Sequence, residues 1–145
     1  MVLTTLELDH TLRPRGGWPA WATAAPYRLD SHPQASGLPS LDAGANCQRY
    51  AYAVLELFDS HVAPHRSSEL WEDTSLTHRA GGEAQNLDLA LFNASADAWG
   101  AHVAIVFGAG LLHLCAEEGI PAIWSWRDFE VRPRYACLVG VVGAP

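Results

Sequence analysis

Five short β-prone runs fill the last third of the chain and follow a single long amphipathic helix pattern. The runs are rich in Val, Ile, Leu and aromatic residues, and Gly, Pro, Asn and Asp separate them. They span residues 87–92, 102–107, 111–115, 121–126 and 135–142. A helix followed by hairpin-connected strands predicts an α+β fold, in which the helix packs on an antiparallel meander sheet of about five strands.

The helix pattern begins at Cys47, directly after the loop residues Gly44, Ala45 and Asn46. Its apolar residues recur at intervals of three and four: Tyr50, Val54, Leu57 and Phe58. Asn46 is a favourable N-cap residue, and Gly44 allows the backbone to turn before it. A cysteine at this position meets unpaired backbone N–H groups and the positive end of the helix dipole, which favour the thiolate. The competing interpretation is that Cys47 is a small buried hydrophobic residue.

The chain of 145 residues is predicted to form one domain, spanning residues 1–145. Residues 1–45 are rich in Pro, Gly and Ser, and we expect them to form an irregular lead-in that wraps the core through Trp18 and Trp21. Weak alternation from Met1 to Leu8 favours a short edge strand.

Composition excludes several function classes. A formal charge of -7 without any Lys/Arg cluster argues against a nucleic-acid partner. Three cysteines do not make a closed disulfide framework. No apolar run is long enough for membrane insertion, and the N-terminus lacks the features of a signal peptide. The sequence as written predicts a cytoplasmic protein, with export by a specialised route left open, and the oligomeric state is not determined.

Two histidines lie at a spacing that places them on one face of a hairpin. His102 opens one run and His113 lies in the next, with Gly108, Ala109 and Gly110 between the runs. Side chains alternate along a strand, so this odd spacing of eleven puts both imidazoles on the same side if the turn has an even number of residues. A two-residue turn would place His113 opposite Ala104, one diagonal from His102. We expect the Cys47 helix to cover this face and to bring the thiol beside the imidazoles.

Thiol, imidazole and a third orienting group form the nucleophile–base–orienter arrangement of acyl transfer. Each histidine alone could equally be a structural residue. Zinc binding by Cys47, His102, His113 and Cys115 fits poorly, because neither a Cys-x-x-Cys nor a His-x-x-x-His pair is present, and we predict no metal and no cofactor. Cys115 and Cys137 are expected in the core, and Trp99 is a candidate wall of the substrate pocket.

Four segments together resemble the NlpC-type cysteine peptidases, a papain-like family of bacterial cell-wall endopeptidases. These are Ala25-Pro26-Tyr27-Arg28, Asn46-Cys47-Gln48, Leu87-Asp88-Leu89, and the hairpin that starts at Ala101-His102-Val103 and continues to Leu111-Leu112-His113. The resemblance covers roughly residues 25–115. The hairpin motif combined with the upstream cysteine is fairly specific, whereas each piece alone is weak.

The resemblance implies a thiol protease that acts on peptidoglycan stem peptides or related peptides, at bonds such as that between D-glutamate and a diamino acid. It implies Cys47 as nucleophile, His102 as general base and His113 as the residue that orients it. Tyr27 would be a substrate-side hydroxyl near the oxyanion. The sequence departs from the family in having Asn46 where Asp is usual and Gln48 where Ser is usual, and in a shorter turn between the histidines.

Two other functions stay open at this stage. One is a papain-like binding module that has lost catalysis and holds a peptide or lipid-like ligand. The other is acyl transfer to an acceptor other than water, which the same three residues would serve.

Overall fold

Six antiparallel strands form one sheet in the computed structural model, which describes residues 2–145. The strands are β1 (Thr77–Arg79), β2 (Leu89–Asn93), β3 (His102–Phe107), β4 (Gly110–His113), β5 (Ala122–Trp124) and β6 (Cys137–Gly143). The helices are α1 (Thr5–Asp9), α2 (Trp21–Ala24), α3 (Cys47–Leu57), α4 (Ser67–Glu72) and α5 (Trp126–Glu130). Short 3-10 helices cover Leu41–Ala43, Gly81–Glu83 and Pro133–Tyr135.

The predicted α+β architecture is confirmed, with helix α3 packed on the sheet. Each of the five predicted runs overlaps one strand, but the sheet has six strands because β1 also pairs with β6. The order is β1-β6-β2-β3-β4-β5, so only β2 to β5 form a meander. Strand β6 returns across the sheet to lie between β1 and β2. The β-prone runs of the sequence identify the strands but do not show that β6 pairs with β1 and β2, because strand pairing depends on tertiary contacts.

Both faces of the sheet are buried, and strand β3 is buried along its whole length. Val103, Ile105 and Phe107 pack in the core beneath α3. Ala104 and Val106 point to the opposite face, where α5 and the Pro133–Tyr135 turn close a second apolar cluster. The two-sided burial explains why the strand sequences are apolar throughout rather than alternating.

Helix α3 begins as the sequence predicts. The Asn46 side chain accepts a hydrogen bond from the backbone N–H of Arg49 at 2.9 Å, which makes Asn46 the N-cap. Gly44 has φ +128°, and a Cβ there would lie 2.6 Å from the side chain of Arg28 and 2.9 Å from the carbonyl oxygen of Pro26. Glycine is therefore required both for the backbone conformation and for the close approach of the neighbouring chain.

The expected edge strand at the N-terminus is wrong. Residues Thr5–Asp9 form helix α1, and Met1 lies outside the described residues. Thr4 and Glu7 form a capping box, in which the Thr4 hydroxyl accepts from the Glu7 backbone and the Glu7 carboxylate accepts from the Thr4 backbone. This Thr-x-x-Glu signal stands in the sequence and outweighs the weak alternation.

The rest of the lead-in contains α2 and two packed tryptophans. The Trp18 ring lies 5.5 Å from that of Phe58 and 5.9 Å from that of Phe107, both edge-on. The Trp21 ring lies 6.0 Å from that of Tyr50. Both tryptophans therefore pack against the core, as expected. None of the helices within residues 2–145 has the length and apolar composition needed to cross a bilayer.

Candidate active site

A cavity of about 200 Å³ opens where α3 and β3 begin, and it brings several predicted site residues together. Cys47 and His102 are both in its wall, and so is Tyr27. The remaining lining residues are Leu29, Asn46, Gln48, Arg66, Phe92, Asn93, Gly100, Ala101, Arg134 and Tyr135. Cys47 is the first residue of α3 and His102 is the first residue of β3, so both side chains stand at the same end of the packed helix and strand.

The Cys47 thiol is half-buried at the helix start. The backbone amides of Val103, Gln48 and Cys47 itself lower the pKa of the thiol, as expected at a helix N-terminus. Burial acts in the opposite direction and is the larger effect, so the pKa of the thiol lies above its usual value. The expected depression of this pKa is therefore wrong, because desolvation outweighs the contribution of the helix start.

The two predicted histidines are hydrogen-bonded to each other. His102 Nε2 lies 2.9 Å from His113 Nδ1. Strands β3 and β4 pair Phe107 with Gly110, which makes the predicted two-residue turn at Gly108-Ala109. Gly108 has φ +64°, a conformation that glycine adopts readily and that suits a tight hairpin. The same register continues to set His113 opposite Ala104, so the predicted diagonal relation is confirmed.

Helix α3 does not cover the face that carries the histidines, and this expectation is wrong. His102 and His113 share their face with Ala104 and Val106, against α5 and the Pro133–Tyr135 turn. Cys47 and His102 share the cavity wall at the end of the sheet, and α3 packs on the opposite face. Parity alone fixes that the imidazoles lie together, but it does not determine which of two apolar faces they occupy.

Burial holds both imidazoles neutral. His102 is 9% exposed and His113 is 1% exposed. Burial, followed by the positive charge of Arg134, lowers the pKa of His102 to about 3. Burial, His102 and Arg132 together lower the pKa of His113 well below its usual value.

An aromatic box encloses the second imidazole. The ring of His113 lies 4.3 Å from Trp124 and 4.8 Å from Phe129, between ring centroids. The Arg132 guanidinium stacks over Trp124 at 4.1 Å. His113 Nε2 is buried and has no hydrogen-bond partner among residues 2–145. Within the described residues, the hydrogen bond with His102 is therefore the only one that the ring of His113 makes, and it fixes how the two rings face each other.

The proton arrangement of this pair determines what His102 can do. A neutral His102 accepts a proton at Nδ1 only if its Nε2–H donates to His113 Nδ1. His113 must then carry its own proton on Nε2, inside the aromatic box. With that tautomer, the hydrogen bond to His113 leaves Nδ1 of His102 free to accept a proton.

Asn46 and Gln48 form a buried network that supports the helix start. The Asn46 amide donates to Gln48 Oε1 at 3.2 Å, and the Gln48 amide donates to Ser67 Oγ at 2.5 Å. The Ser67 hydroxyl then donates to the carbonyl oxygen of Ala101 at 2.5 Å. The start of α3 is thus connected to α4 and to the residue before His102. Helix α4 starts at Ser67, with Arg66 as its N-cap residue.

Tyr27 is held next to the cysteine loop by backbone pairing. It forms an isolated parallel bridge with Ala45, in which Arg28 N–H donates to the Ala45 carbonyl at 2.9 Å. The Tyr27 backbone also donates to the carbonyl of Gly119 at 2.8 Å. Burial and the nearby Cys47 raise the pKa of the Tyr27 hydroxyl, so it remains a hydrogen-bond donor at neutral pH.

The sequence matches no family model and no curated protein. What the cavity can do chemically follows from its own residues: a thiol, a neutral imidazole held by a second one, free helix-start amides and a phenol.

Trp99 does not line this cavity. It is 76% exposed and borders an adjoining cavity of about 260 Å³. Cys115 is buried in the second apolar cluster, as predicted, whereas Cys137 is only half-buried at the start of β6. No cluster of three or more His, Cys, Asp or Glu side chains suited to a metal ion is found among residues 2–145.

Arg66, Arg134 and Tyr135 line the cavity although the sequence does not predict them as site residues. Arg134 and Tyr135 belong to the 3-10 turn that precedes β6. Both bind Glu117 through their side chains, with Arg134 Nη1 2.9 Å from the carboxylate. No sequence pattern marks them, because the return of β6 across the sheet is what carries this turn to the cavity.

Proposed function

We propose that this protein is a cysteine peptidase or amidase of papain-like type, with Cys47 as nucleophile and His102 as general base. The observation that carries the proposal is the pairing of His102 Nε2 with His113 Nδ1 at 2.9 Å, on an imidazole that shares a cavity with Cys47. Nucleophile, base and orienter are the parts that acyl transfer requires. Together with the resemblance of residues 25–115, they support a peptidoglycan stem peptide, or a related peptide, as the substrate class.

The reaction would start from a neutral pair, because burial disfavours both the thiolate and the imidazolium. Cys47 Sγ forms a bond to the substrate carbonyl carbon as its proton moves to His102 Nδ1. The C–N bond then breaks while His102 returns that proton to the leaving amine. Water next attacks the thioester, giving its proton to His102, and the sulfur leaves and is reprotonated.

Charge that develops on the carbonyl oxygen needs donors at the helix start. The backbone N–H of Cys47 lies in the first turn of α3, where no intrahelical carbonyl accepts from it. The Tyr27 hydroxyl, in the same cavity, is a second candidate donor. One such donor typically contributes about 3–4 kcal/mol to transition-state stabilisation.

Digestion of stem peptides and muropeptides, read by mass spectrometry, tests the proposal. The wild type should release shortened peptides, and Cys47→Ala should release none while keeping the wild-type unfolding curve. Cys137→Ala is the matched control, since Cys137 is half-buried but lies outside the cavity. Activity of Cys47→Ala equal to that of the wild type would refute Cys47 as the nucleophile.

A second candidate is a binding module with the same frame and no turnover, and the raised pKa of the Cys47 thiol favours it. Alkylation by iodoacetamide at neutral pH separates the two. A catalytic thiol beside a base should react faster than Cys115 and Cys137. A binding module should show no selectively reactive cysteine.

A further inference from the structure

Arg66 stands at the junction of two cavities. One is the cavity that contains Cys47 and His102, and the other is the adjoining cavity bordered by Trp99. Arg66, Gln48 and Gly100 line both cavities. A substrate that occupies the first cavity and extends into the second must therefore pass the Arg66 side chain.

The guanidinium of Arg66 has no carboxylate partner among residues 2–145, and its side chain is exposed. The nearby Glu69 carboxylate accepts instead from the Arg66 backbone N–H at 2.9 Å and from the Gln34 amide at 2.6 Å. Arg134, the other arginine of the cavity, is paired with Glu117 at 2.9 Å. Arg66 is thus the cation of this cavity that has no carboxylate partner within the described chain.

The net negative charge of the chain makes an unpaired arginine at this cavity unusual, since it attracts anions where the rest of the chain repels them. The chain has nine Lys and Arg residues against sixteen Asp and Glu, so its average field repels anions. The charge of Arg66 reaches the site, since it contributes to lowering the pKa of the Cys47 thiol. An unpaired guanidinium presents a planar set of N–H donors that matches a carboxylate.

We propose that Arg66 is a specificity-determining residue that binds a carboxylate of the substrate next to the scissile amide, with Trp99 as the apolar wall beyond it. The substrate class is therefore an acidic peptide rather than a neutral or basic one. This assignment rests on the proposed function for its biological meaning, but its first test does not require hydrolysis.

The first test compares alkylation of Cys47 by iodoacetate and by iodoacetamide. In both reactions the sulfur displaces iodide, and the reagents differ in carrying a carboxylate or an amide. The rate ratio of the two reagents at Cys47 cancels any change in thiol pKa. The ratio at Cys137 of the same molecule provides the internal reference, measured by mass spectrometry of the labelled peptides.

Arg66→Gln should lower the iodoacetate-to-iodoacetamide ratio at Cys47 by about three- to fivefold, as expected for a single exposed charge contact. Arg66→Lys should retain most of the ratio. Arg15→Gln is the matched control, because Arg15 is exposed and lies outside both cavities, and it should leave the ratio unchanged. An unchanged ratio in Arg66→Gln overturns the proposal, and so does failure of both reagents to modify Cys47, because the cavity would then be closed.

The second test uses peptides that differ only in Glu against Gln beside the cleaved bond. Arg66→Gln should lower kcat/KM for the Glu peptide by a similar factor and leave the Gln peptide unaffected. Equal loss on both peptides would overturn the proposal. If no peptide is cleaved while the alkylation ratio still depends on Arg66, then the proposed hydrolysis fails and the anion site stands.

Discussion

Acidification from pH 7 to pH 5 should destabilise the fold through the buried histidine pair. His102 and His113 are nearly inaccessible to solvent, and burial keeps the pKa of each below its unfolded value of about 6.5. The unfolded chain therefore binds more protons than the native state as the pH falls below 6.5. The free energy of unfolding is greatest above that pH and declines until the native pKa of His102, about 3, is reached.

For His102, whose native pKa is about 3, the loss of unfolding free energy between pH 7 and pH 5 is determined by its protonation in the unfolded state. Each histidine that stays neutral costs about 1.4 kcal/mol per pH unit below 6.5, or about 2 kcal/mol at pH 5. His113 adds to this loss in the same direction, because its pKa is also lowered well below its usual value, and a domain is typically stable by only about 5–15 kcal/mol. Asp73, whose hydrogen bonds to Ser75 and His65 hold its pKa at about 2, titrates below this window and does not obscure it.

Urea unfolding followed by tryptophan fluorescence at pH 7, 6 and 5 measures this loss. His113→Leu removes one of the two buried imidazoles and should reduce the dependence of the unfolding free energy on pH. A wild-type free energy of unfolding that changes by less than about 1 kcal/mol between pH 7 and pH 5 would refute the neutral buried pair. It would also weaken the assignment of His102 as a base held by His113.

Three further substitutions test the surroundings of the site, each by urea unfolding at pH 7. Arg79→Met should lower the free energy of unfolding by about 3–5 kcal/mol. The buried Asp88 carboxylate lies 2.9 Å from the Arg79 guanidinium and would lose its cation. A decrease of less than about 1 kcal/mol would contradict this prediction. Gln48→Leu should lower the free energy of unfolding by about 1–3 kcal/mol, because it leaves the Ser67 hydroxyl without its donor and the Asn46 amide without its acceptor. Ser67→Ala in that background should lower it further, because the hydrogen bond to the Ala101 carbonyl is then also lost. Asp59→Gly should stabilise the protein by about 1 kcal/mol, because Asp59 has φ +60° just after α3, with Asp59→Asn as a control that removes only the charge.

The sequence by itself determined the local elements and their order. Asn46 before an apolar repeat is enough to start α3, because capping and helix periodicity are properties of neighbouring residues. The odd spacing of His102 and His113 around a two-residue turn is enough to bring their rings together, because strand pleating alternates strictly. The Thr4–Glu7 capping box is equally a property of neighbouring residues, and it outweighs the weak alternation of the same segment.

Only the tertiary structure decided which surfaces meet. Strand β6 enters between β1 and β2, and that long-range pairing brings Arg134 and Tyr135 to the cavity. The histidines lie on the face of the sheet that α5 covers. Because both faces of the sheet are apolar, the two-residue repeat of a strand does not indicate which face α3 covers. The pKa of Cys47 likewise depends on burial by distant segments, which a helix-start position does not encode. Local hydrogen bonds depend on residues that are close in the sequence, whereas burial and long-range strand pairing depend on how the whole chain folds.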